Sequence, residues 1–352
     1  MRERGPPDGA YSGTMTEQPV TLAAIREMRV RLRGRVHHTP MLSSATAARV
    51  AGGATGAVPG DGRLYLKAEH LQKTGSFKPR AALARISSLT PEQRRRGAIT
   101  ISAGNAGQAY AWAGREAGVP VTVVMPEGAV ASKVAACLEY GADVVLHGAH
   151  VGESLEHLEK LRAERGLTLV HPYDDPEVLI GNGSCGLEIL EDLPDVDVVV
   201  VAVGGGGLIG GVTVALKESR PSVRVYGVEP VMSAALRRGI DAGQPVRITP
   251  VSVADGLGAP AAGVLAIDIG RRYLDDVVLI EDATILAGLR FAVERLKQVL
   301  EPAGAAALAA VLAGSIPLRG GDRVCVILSG GNAAIDRLGE LIAAAGPLRT
   351  PS

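Results

Sequence analysis

A lysine after a glycine-containing turn is the side chain of this sequence best placed for covalent chemistry. Lys78 follows the turn at residues 73–76, and an apolar, strand-like run at residues 64–66 precedes that turn. A helical pattern comes next; we expect Ser76 to cap this helix, with Pro79 in its first turn. The sequence therefore places Lys78 at a helix N-terminus.

The surroundings of Lys78 favour its neutral, nucleophilic form. A free lysine has a pKa near ~10.4, so only about one in 2,500 is a neutral amine at pH 7. A helix N-terminus and the like-charged neighbours Lys73 and Arg80 both lower the pKa of an amine. A neutral lysine can form a Schiff base with an aldehyde. The alternative is an ordinary surface lysine in a loop.

A run of four glycines indicates a phosphate site. It follows residues 197–203 (DVVVVAV), whose apolar character predicts a central parallel strand, and it opens a helix. Backbone N–H groups at a helix N-terminus bind phosphate. The residues concerned are Gly204, Gly205, Gly206 and Gly207, followed by Leu208.

The same loop permits a second interpretation. Residues 205–210 match the pattern G-x-G-x-x-G, and Glu229 ends the next strand, where a ribose-binding acid would lie. A nicotinamide or flavin enzyme is therefore an alternative at this point.

Two further polar, glycine-containing loops follow predicted strands, at residues 102–108 (SAGNAGQ) and 329–332 (SGGN). Ligands of open α/β sheets bind at the carboxyl ends of the strands. We expect these two loops, the glycine run and the turn before Lys78 to lie on one edge. An imine-forming lysine beside a phosphate site suggests pyridoxal 5'-phosphate, which has one aldehyde and one phosphate.

The composition predicts a globular α/β protein and excludes other classes. Of 352 residues, 47% are hydrophobic, and 37 basic residues balance 37 acidic ones, so neither disorder nor nucleic-acid binding is indicated. Three cysteines without metal spacing fit reduced thiols in the cytoplasm. Residues 198–216 contain no charge, but the central glycines predict a strand and a helix there, not a membrane span.

Strands alternate with helices along the chain, which predicts mostly parallel sheets flanked by helices. We expect two domains. Residues 1–20 read as a disordered tail, with Met15 as a possible start. Residues 21–97 and 176–348 would form a large cofactor-binding domain, and residues 98–175 a small mobile domain that excludes water from the site.

Eight motifs in order give the chain a resemblance to the threonine/serine dehydratases and serine racemases. These are pyridoxal-phosphate enzymes of the tryptophan-synthase-β (type II) fold. The motifs are KxExxQxTGSFKxR (67–80), SAGN (102–105), HPYDDPEVLIGNG (171–183), GGGGL (204–208), GVEP (227–230), ADGL (254–257), EPAGAAALA (301–309) and SGGN (329–332). The resemblance places the dinucleotide interpretation second.

The resemblance implies roles for individual residues. Lys78 would hold the cofactor as a Schiff base and act as the base at the substrate Cα, and Asn105 would bind the phenolic oxygen of the cofactor ring. The glycine run would bind its phosphate, and Ser329 would face its pyridine nitrogen. Phe77 and Leu208 would complete the cofactor site. The substrate carboxylate would bind the loop of Ser102, Ala103, Gly104, Asn105 and Ala106.

Two positions that differ from the motifs of the family restrict the expected activity. Serine racemases have a second serine, a base on the opposite face of the cofactor, where this chain has Ala103. We therefore expect an L-selective enzyme without efficient racemisation. The common histidine of the family is Ala106 here, which leaves the substrate preference open.

The family's metal site is also altered. Metal-dependent members use the GVEP glutamate, a carbonyl four residues later and an acid two residues beyond it. Here these positions are Glu229, Ser233 and Ala235, so the acid is lost. We assign no metal ligands; a monovalent or divalent cation near Glu229 and a purely structural glutamate are both open.

The resemblance implies β-elimination from L-threonine or L-serine to a 2-oxo acid and ammonia. It also implies a homodimer that acts on a small molecule, without nucleic-acid or membrane partners. Another hydroxyamino acid such as 3-hydroxyaspartate, a racemase and, remotely, a nucleotide-dependent oxidoreductase are the alternatives.

Overall fold

The computed structural model describes residues 19–347. The predicted tail, residues 1–20, lies outside this part of the chain except for its last two residues. Within residues 19–347 no helix combines the length and apolar character needed to cross a membrane. As predicted, residues 198–216 form a strand, a glycine turn and a helix.

Two sheets organise the fold. The larger has six strands in the order β1-β2-β10-β7-β8-β9, parallel except for the antiparallel β1–β2 pair. Its strands are β1 (Met41–Ser44), β2 (Leu64–Lys67), β7 (Val198–Ala202), β8 (Arg224–Pro230), β9 (Asp276–Ile280) and β10 (Val324–Ile327). Every residue of β7 is buried, as expected of a central strand covered on both faces.

The smaller sheet is parallel throughout and has the order β5-β4-β3-β6. Its strands are β3 (Ala98–Ile101), β4 (Val121–Met125), β5 (Asp143–Leu146) and β6 (Thr168–Leu169). All four lie within residues 98–175, the predicted small domain. However, the core around this sheet also includes helices that the prediction assigns to the large domain, so the domain boundaries stay a prediction.

Helices cover the faces of both sheets. They are α1 (Leu22–Leu32), α2 (Ala45–Thr55), α3 (Lys78–Ser87), α4 (Pro91–Arg96), α5 (Asn105–Ala117), α6 (Ala131–Glu139), α7 (Val151–Arg165), α8 (Pro176–Asp192), α9 (Gly207–Ser219), α10 (Ala235–Ala242), α11 (Val264–Tyr273), α12 (Asp282–Phe291), α13 (Pro302–Leu312) and α14 (Ile335–Ala344). Helix α13 is alanine-rich and buried along its whole length, and it packs against the large sheet.

Strand order brings three of the four expected site loops together. Strands β2, β10 and β7 are adjacent, and the lysine turn, residues 329–332 and the glycine run follow their carboxyl ends. The fourth loop, residues 102–106, follows β3 and therefore belongs to the small sheet. The expectation of one shared edge is thus wrong for this loop, which reaches the site from the second sheet.

Candidate active site

Lys78 begins helix α3, as the sequence predicts, but Ser76 does not cap the helix. Phe77 occupies the cap position, and the hydroxyl of Ser76 is buried without a hydrogen-bond partner. The amine of Lys78 donates a hydrogen bond to the carbonyl oxygen of Pro172 (3.3 Å) and lies 4.8 Å from the centre of the Phe77 ring. Its side chain is only partly exposed.

Burial, not like charge, lowers the pKa of the Lys78 amine. Desolvation lowers the pKa of Lys78 to about 8, and the carboxylate of Glu301 opposes this shift. Neither Lys73 nor Arg80 contributes, because Lys73 is exposed and the charge of Arg80 is neutralised by buried carboxylates. The expected direction is confirmed, and the expected cause is corrected.

The pKa of Lys78 can be measured without any cofactor. We expect the rate of reductive methylation of Lys78, followed by peptide mass spectrometry, to reach half of its maximum near pH 8. Surface amines should continue to accelerate towards pH ~10. Replacing Glu301 with glutamine should move the midpoint to lower pH, because the opposing negative charge is removed. A midpoint above pH 10 for Lys78 would contradict this account.

A buried network of four charges holds the turn that bears Lys78. Arg80 donates two hydrogen bonds to Glu69 (2.8 Å each) and two to Glu188 (2.8 and 2.7 Å). The amine of Lys67 lies 3.0 Å from Glu188, and all four side chains are fully buried. Burial opposes the charge of Arg80, but both carboxylates hold its pKa well above the ordinary value. Three charged residues of the KxExxQxTGSFKxR motif are thereby explained as supports of the turn.

The glycine run packs too tightly for any side chain. A Cβ atom at Gly205 would overlap the ring of Tyr173, and one at Gly207 would lie 2.8 Å from the carbonyl oxygen of Tyr173. Gly206 precedes α9 with a φ of +91°, a conformation that favours glycine. None of the side chains that the structure describes caps α9. The N–H groups of its first turn therefore face no side-chain acceptor and can bind an anion.

The segment from His171 to Asp174 joins the lysine to the glycine run, a role the sequence analysis missed. Pro172 accepts the hydrogen bond from Lys78, and Tyr173 packs on the glycines. Burial and the nearby charge of Lys78 lower the pKa of His171 to about 4, so its imidazole is neutral at pH 7. The motif HPYDDPEVLIGNG marked this segment, but nothing in its residue types indicated contact with Lys78.

Asn105 connects the small sheet to the large one. Asn105 is the first residue of α5. Its side chain donates a hydrogen bond to Glu301 (2.5 Å) and accepts one from Asn332 (2.9 Å). Burial raises the pKa of Glu301 to about 7, and the hydrogen bond from Asn105 opposes this shift. No role for Glu301 or Asn332 was predicted from the sequence, although they belong to the motifs EPAGAAALA and SGGN.

Ser329 lies beside the lysine turn. Its backbone carbonyl accepts a hydrogen bond from the N–H of Phe77 (3.1 Å), and its hydroxyl makes only a long contact (3.4 Å) with the carbonyl oxygen of Ala303. In the loop of residues 102–106, the hydroxyl of Ser102 accepts a hydrogen bond from the N–H of Gly104 (3.2 Å). A backbone hydrogen bond thus joins Ser329 to the lysine turn, and Asn105 reaches the same turn through Asn332, which donates to the carbonyl oxygen of Thr74.

Comparison with known proteins identifies the family. The family model described as "Pyridoxal-phosphate dependent enzyme" matches residues 37–330. The chain is 40% identical over 327 residues to the L-threonine ammonia-lyase of Thermotoga maritima, with 92% of this chain and 78% of that protein covered. It is 38% identical over 325 residues to "L-threonine dehydratase catabolic TdcB" of Escherichia coli (strain K12), with 92% and 96% covered. The structure of maize serine racemase aligns with a TM-score of 0.85 and 32% identity, covering 92% of this chain and 97% of that one.

This chain belongs to the pyridoxal-phosphate dependent enzymes. The type II fold expected from the resemblance is confirmed. The site fits the cofactor of the family, because it combines a reactive amine, an uncapped helix N-terminus and the loosely bonded hydroxyl of Ser329.

Membership of this family also shows that the dinucleotide interpretation of the glycine loop at residues 205–210 is wrong. Both carboxylate oxygens of Glu229 accept backbone hydrogen bonds at the start of α10, from Leu236 (2.7 Å) and Arg237 (2.9 Å). Glu229 therefore stabilises a helix N-terminus in this pyridoxal-phosphate enzyme, which is the structural role left open above. Within the described residues, no group of three or more His, Cys, Asp or Glu side chains is arranged to bind a metal ion.

Proposed function

We propose that this enzyme converts L-threonine or L-serine to a 2-oxo acid and ammonia. The β-hydroxyl group leaves with the proton of Cα, and hydrolysis of the resulting enamine releases ammonia. The proposal rests on the buried amine of Lys78, with its pKa of about 8, beside an anion-binding helix N-terminus. Similarity to an L-threonine ammonia-lyase and an L-threonine dehydratase supports this choice of substrate.

The resemblance to the family supplies the proposed roles of the cofactor-binding residues, and the contacts of Lys78, Asn105 and Ser329 support them. Lys78 attaches pyridoxal phosphate covalently, and the N–H groups of residues 204–207 hold its phosphate. Asn105 would donate a hydrogen bond to the phenolic oxygen, Ser329 would face the pyridine nitrogen, and Phe77 and Leu208 would complete the site. When bound, the cofactor ring supplies an electron-withdrawing group that stabilises negative charge at the substrate Cα.

Lys78 is also the proposed base at Cα. A pKa of about 8 leaves a substantial neutral fraction near pH 7–8, so the amine can accept the Cα proton. We propose that backbone N–H groups of residues 102–106, at the start of α5, bind the substrate carboxylate. This orients the substrate between the two sheets.

The substrate can be identified by an assay of 2-oxo acid release. We expect L-threonine and L-serine to be converted at least ~10-fold faster than L-3-hydroxyaspartate. D-serine should give no product above background. Faster turnover of 3-hydroxyaspartate than of both neutral substrates would contradict the proposed substrate class.

Ala103 should make the enzyme selective for one face of the substrate. Alanine cannot exchange a proton, and loss of a general base typically costs about 10²–10⁴-fold in rate. We therefore expect racemisation of L-serine to be at least ~100-fold slower than its deamination, measured by chiral chromatography. The variant Ala103→Ser, which supplies a hydroxyl, should racemise faster than the parent. Comparable rates of racemisation and deamination in the parent enzyme would contradict this proposal and favour a racemase.

We further propose that residues 98–175 move as a small unit over a large unit of residues 21–97 and 176–348. Several polar contacts cross between these units, and we infer that they, including the following two, hold the small unit in a defined closed position. Lys133 of α6 lies 3.0 Å from Asp255, and Asn105 donates its hydrogen bond to Glu301. Closure would exclude water from the reacting atoms.

We further propose that the enzyme is a homodimer in the cytoplasm. All three cysteines are buried as free thiols, which suits a reducing compartment. A cation near Glu229 would have to displace the two backbone N–H groups that its carboxylate now accepts. Size-exclusion chromatography with light scattering tests the dimer.

A further inference from the structure

Three side chains that meet between the two sheets form a continuous chain of hydrogen bonds. Asn332 uses its amide nitrogen as donor to the carbonyl oxygen of Thr74 (2.7 Å) and to Oδ1 of Asn105 (2.9 Å). The amide nitrogen of Asn105 then donates to Oε1 of Glu301 (2.5 Å). The chain thus joins the lysine turn, the loop after β10, the start of α5 and the start of α13.

Two glycines make room for this chain. A Cβ atom at Gly75 would overlap Oδ1 of Asn332, and one at Gly330 would overlap Oε1 of Glu301. Gly75 also has a φ of +73°, which favours glycine. The glycines of the motifs TGSFK and SGGN therefore leave the space that Asn332 and Glu301 fill. Such a matched arrangement indicates that the side chains are held in one geometry.

The chain determines which way the Asn105 amide points. Asn332 has only donors to offer at this contact, so it requires the carbonyl oxygen of Asn105. Glu301 offers a carboxylate oxygen, so it requires the amide nitrogen. In the opposite orientation, two donors would face each other on one side and two acceptors on the other. One N–H of Asn105 is used by Glu301, and its second N–H has no acceptor among the described residues.

We propose that Asn332 and Glu301 are positioning residues that fix the amide of Asn105 so that its second N–H faces the phenolic oxygen of the cofactor. This inference rests on the proposed function, which gives Asn105 that hydrogen bond. A rotated amide would present an acceptor to an oxygen that is itself an acceptor. The orientation of one amide therefore controls how well the site binds the cofactor.

Replacing the hydrogen-bond donor of residue 332 with an acceptor tests the proposal. In Asn332→Asp a carboxylate oxygen replaces the donor, so the Asn105 amide should rotate to donate to it. We expect the dissociation constant of pyridoxal phosphate, measured by fluorescence titration of the apoenzyme, to rise about tenfold or more, since a hydrogen bond to a charged acceptor is lost. The visible absorption band of the bound cofactor should change as well.

A double variant separates positioning from general structural support. In Asn332→Asp with Glu301→Gln, the rotated amide has partners on both sides, because the glutamine can donate to the carbonyl oxygen of Asn105. We expect the apoenzyme of this variant to melt at a higher temperature than that of Asn332→Asp alone, although the hydrogen bond to Thr74 stays lost, whereas its affinity for the cofactor should stay low. Recovery of both would overturn the proposal and indicate a structural role alone.

The remaining outcomes are also decisive. If Asn332→Asp does not fold, Asn332→Ala removes the donor without adding charge. Glu301 alone then holds the Asn105 amide, so cofactor binding should weaken by a smaller factor, about threefold or more. Cofactor binding within twofold of the parent in these variants would overturn the positioning role while leaving the proposed function intact. A parent protein that binds no pyridoxal phosphate would instead overturn the proposed function on which the inference rests.

Discussion

Replacing Lys78 with alanine is expected to lower kcat for 2-oxo acid formation by ~10⁴-fold or more. The change removes both the covalent attachment of the cofactor and the proposed base at Cα, and loss of a general base alone typically costs up to about 10⁴-fold. The neighbouring cations of the described turn do not replace this amine, because the guanidinium of Arg80 is held in its buried network and Lys73 is exposed. Steady-state assays with L-threonine at saturating cofactor measure the effect.

Lys73→Ala is the matched control for this variant. Lys73 lies in the same turn, but its side chain is exposed and forms no ion pair with any residue between 19 and 347. We expect its activity to stay within about twofold of the parent enzyme, as for a surface substitution away from structural features. Retention of a tenth or more of the parent activity in the Lys78 variant would contradict the assigned role.

The second large effect concerns stability and involves Glu188. Glu188→Ala is expected to lower the free energy of unfolding by about 3–5 kcal/mol, the usual cost of removing one partner from a buried ion pair. Lys67 and Arg80 would then share only Glu69 as a fully buried counter-charge. Urea denaturation monitored by circular dichroism gives the free energy of unfolding of both proteins.

The effect of Glu188 should depend on pH. Burial would raise the pKa of its carboxyl group, but Arg80 and Lys67 hold it below the ordinary value. A carboxylate with a depressed pKa stabilises the native state above the unfolded-state pKa of ~4.3 and loses this contribution as the pH falls further. The difference between parent and variant should therefore be full at pH 7 and shrink in acid.

An exposed ion pair provides the control for the buried network. Glu164 lies 4.0 Å from Lys160 on the surface of α7, where both side chains are more than half exposed. Glu164→Ala should change the free energy of unfolding by no more than about 0.5 kcal/mol. Equal effects of the Glu164 and Glu188 substitutions would show that the network does not stabilise the fold.

The strands and the helices next to the site could be predicted because their patterns are strong. The valine run of β7 and the glycines after it define a strand, a turn and a helix without ambiguity. The sequence of helix α8 does not predict a helix, because its glycines have a low helix propensity. They are needed for close packing: a Cβ atom at Gly183 would come within 2.7 Å of Ile25, and one at Gly186 within 2.9 Å of Ala215. Tertiary contacts that no local pattern reveals therefore decide this helix.

One predicted helix is too long. The pattern at residues 283–299 predicts a single helix, whereas α12 ends at Phe291 and a π-helical turn follows at Ala292–Leu296. Lys297 then adopts a φ of +58°, which ends the helix. The side chain of Gln298 turns to His70 across a distance of 2.9 Å. Such a contact between residues 228 positions apart cannot be read from the helical period.

Some candidate site residues could be predicted from local chemistry or from the family resemblance. Residues whose place in the site depends on contacts in the folded protein could not. Lys78 and the glycine run follow from local chemistry, and the resemblance supplied Asn105 and Ser329. The cause of the lowered Lys78 pKa could not be predicted, because burial depends on the assembled fold. The same holds for Glu301 and Asn332, which lie about 200 residues from Asn105 in the chain and meet it only through two sheets.

Reduction of the purified enzyme with borohydride tests the central claim most directly. The enzyme should show a visible absorption band from the bound cofactor, and reduction should abolish this band and attach the cofactor permanently to one lysine. Peptide mapping by mass spectrometry is expected to find the label on Lys78. A protein without the visible band, or a label on any other lysine, would contradict the account.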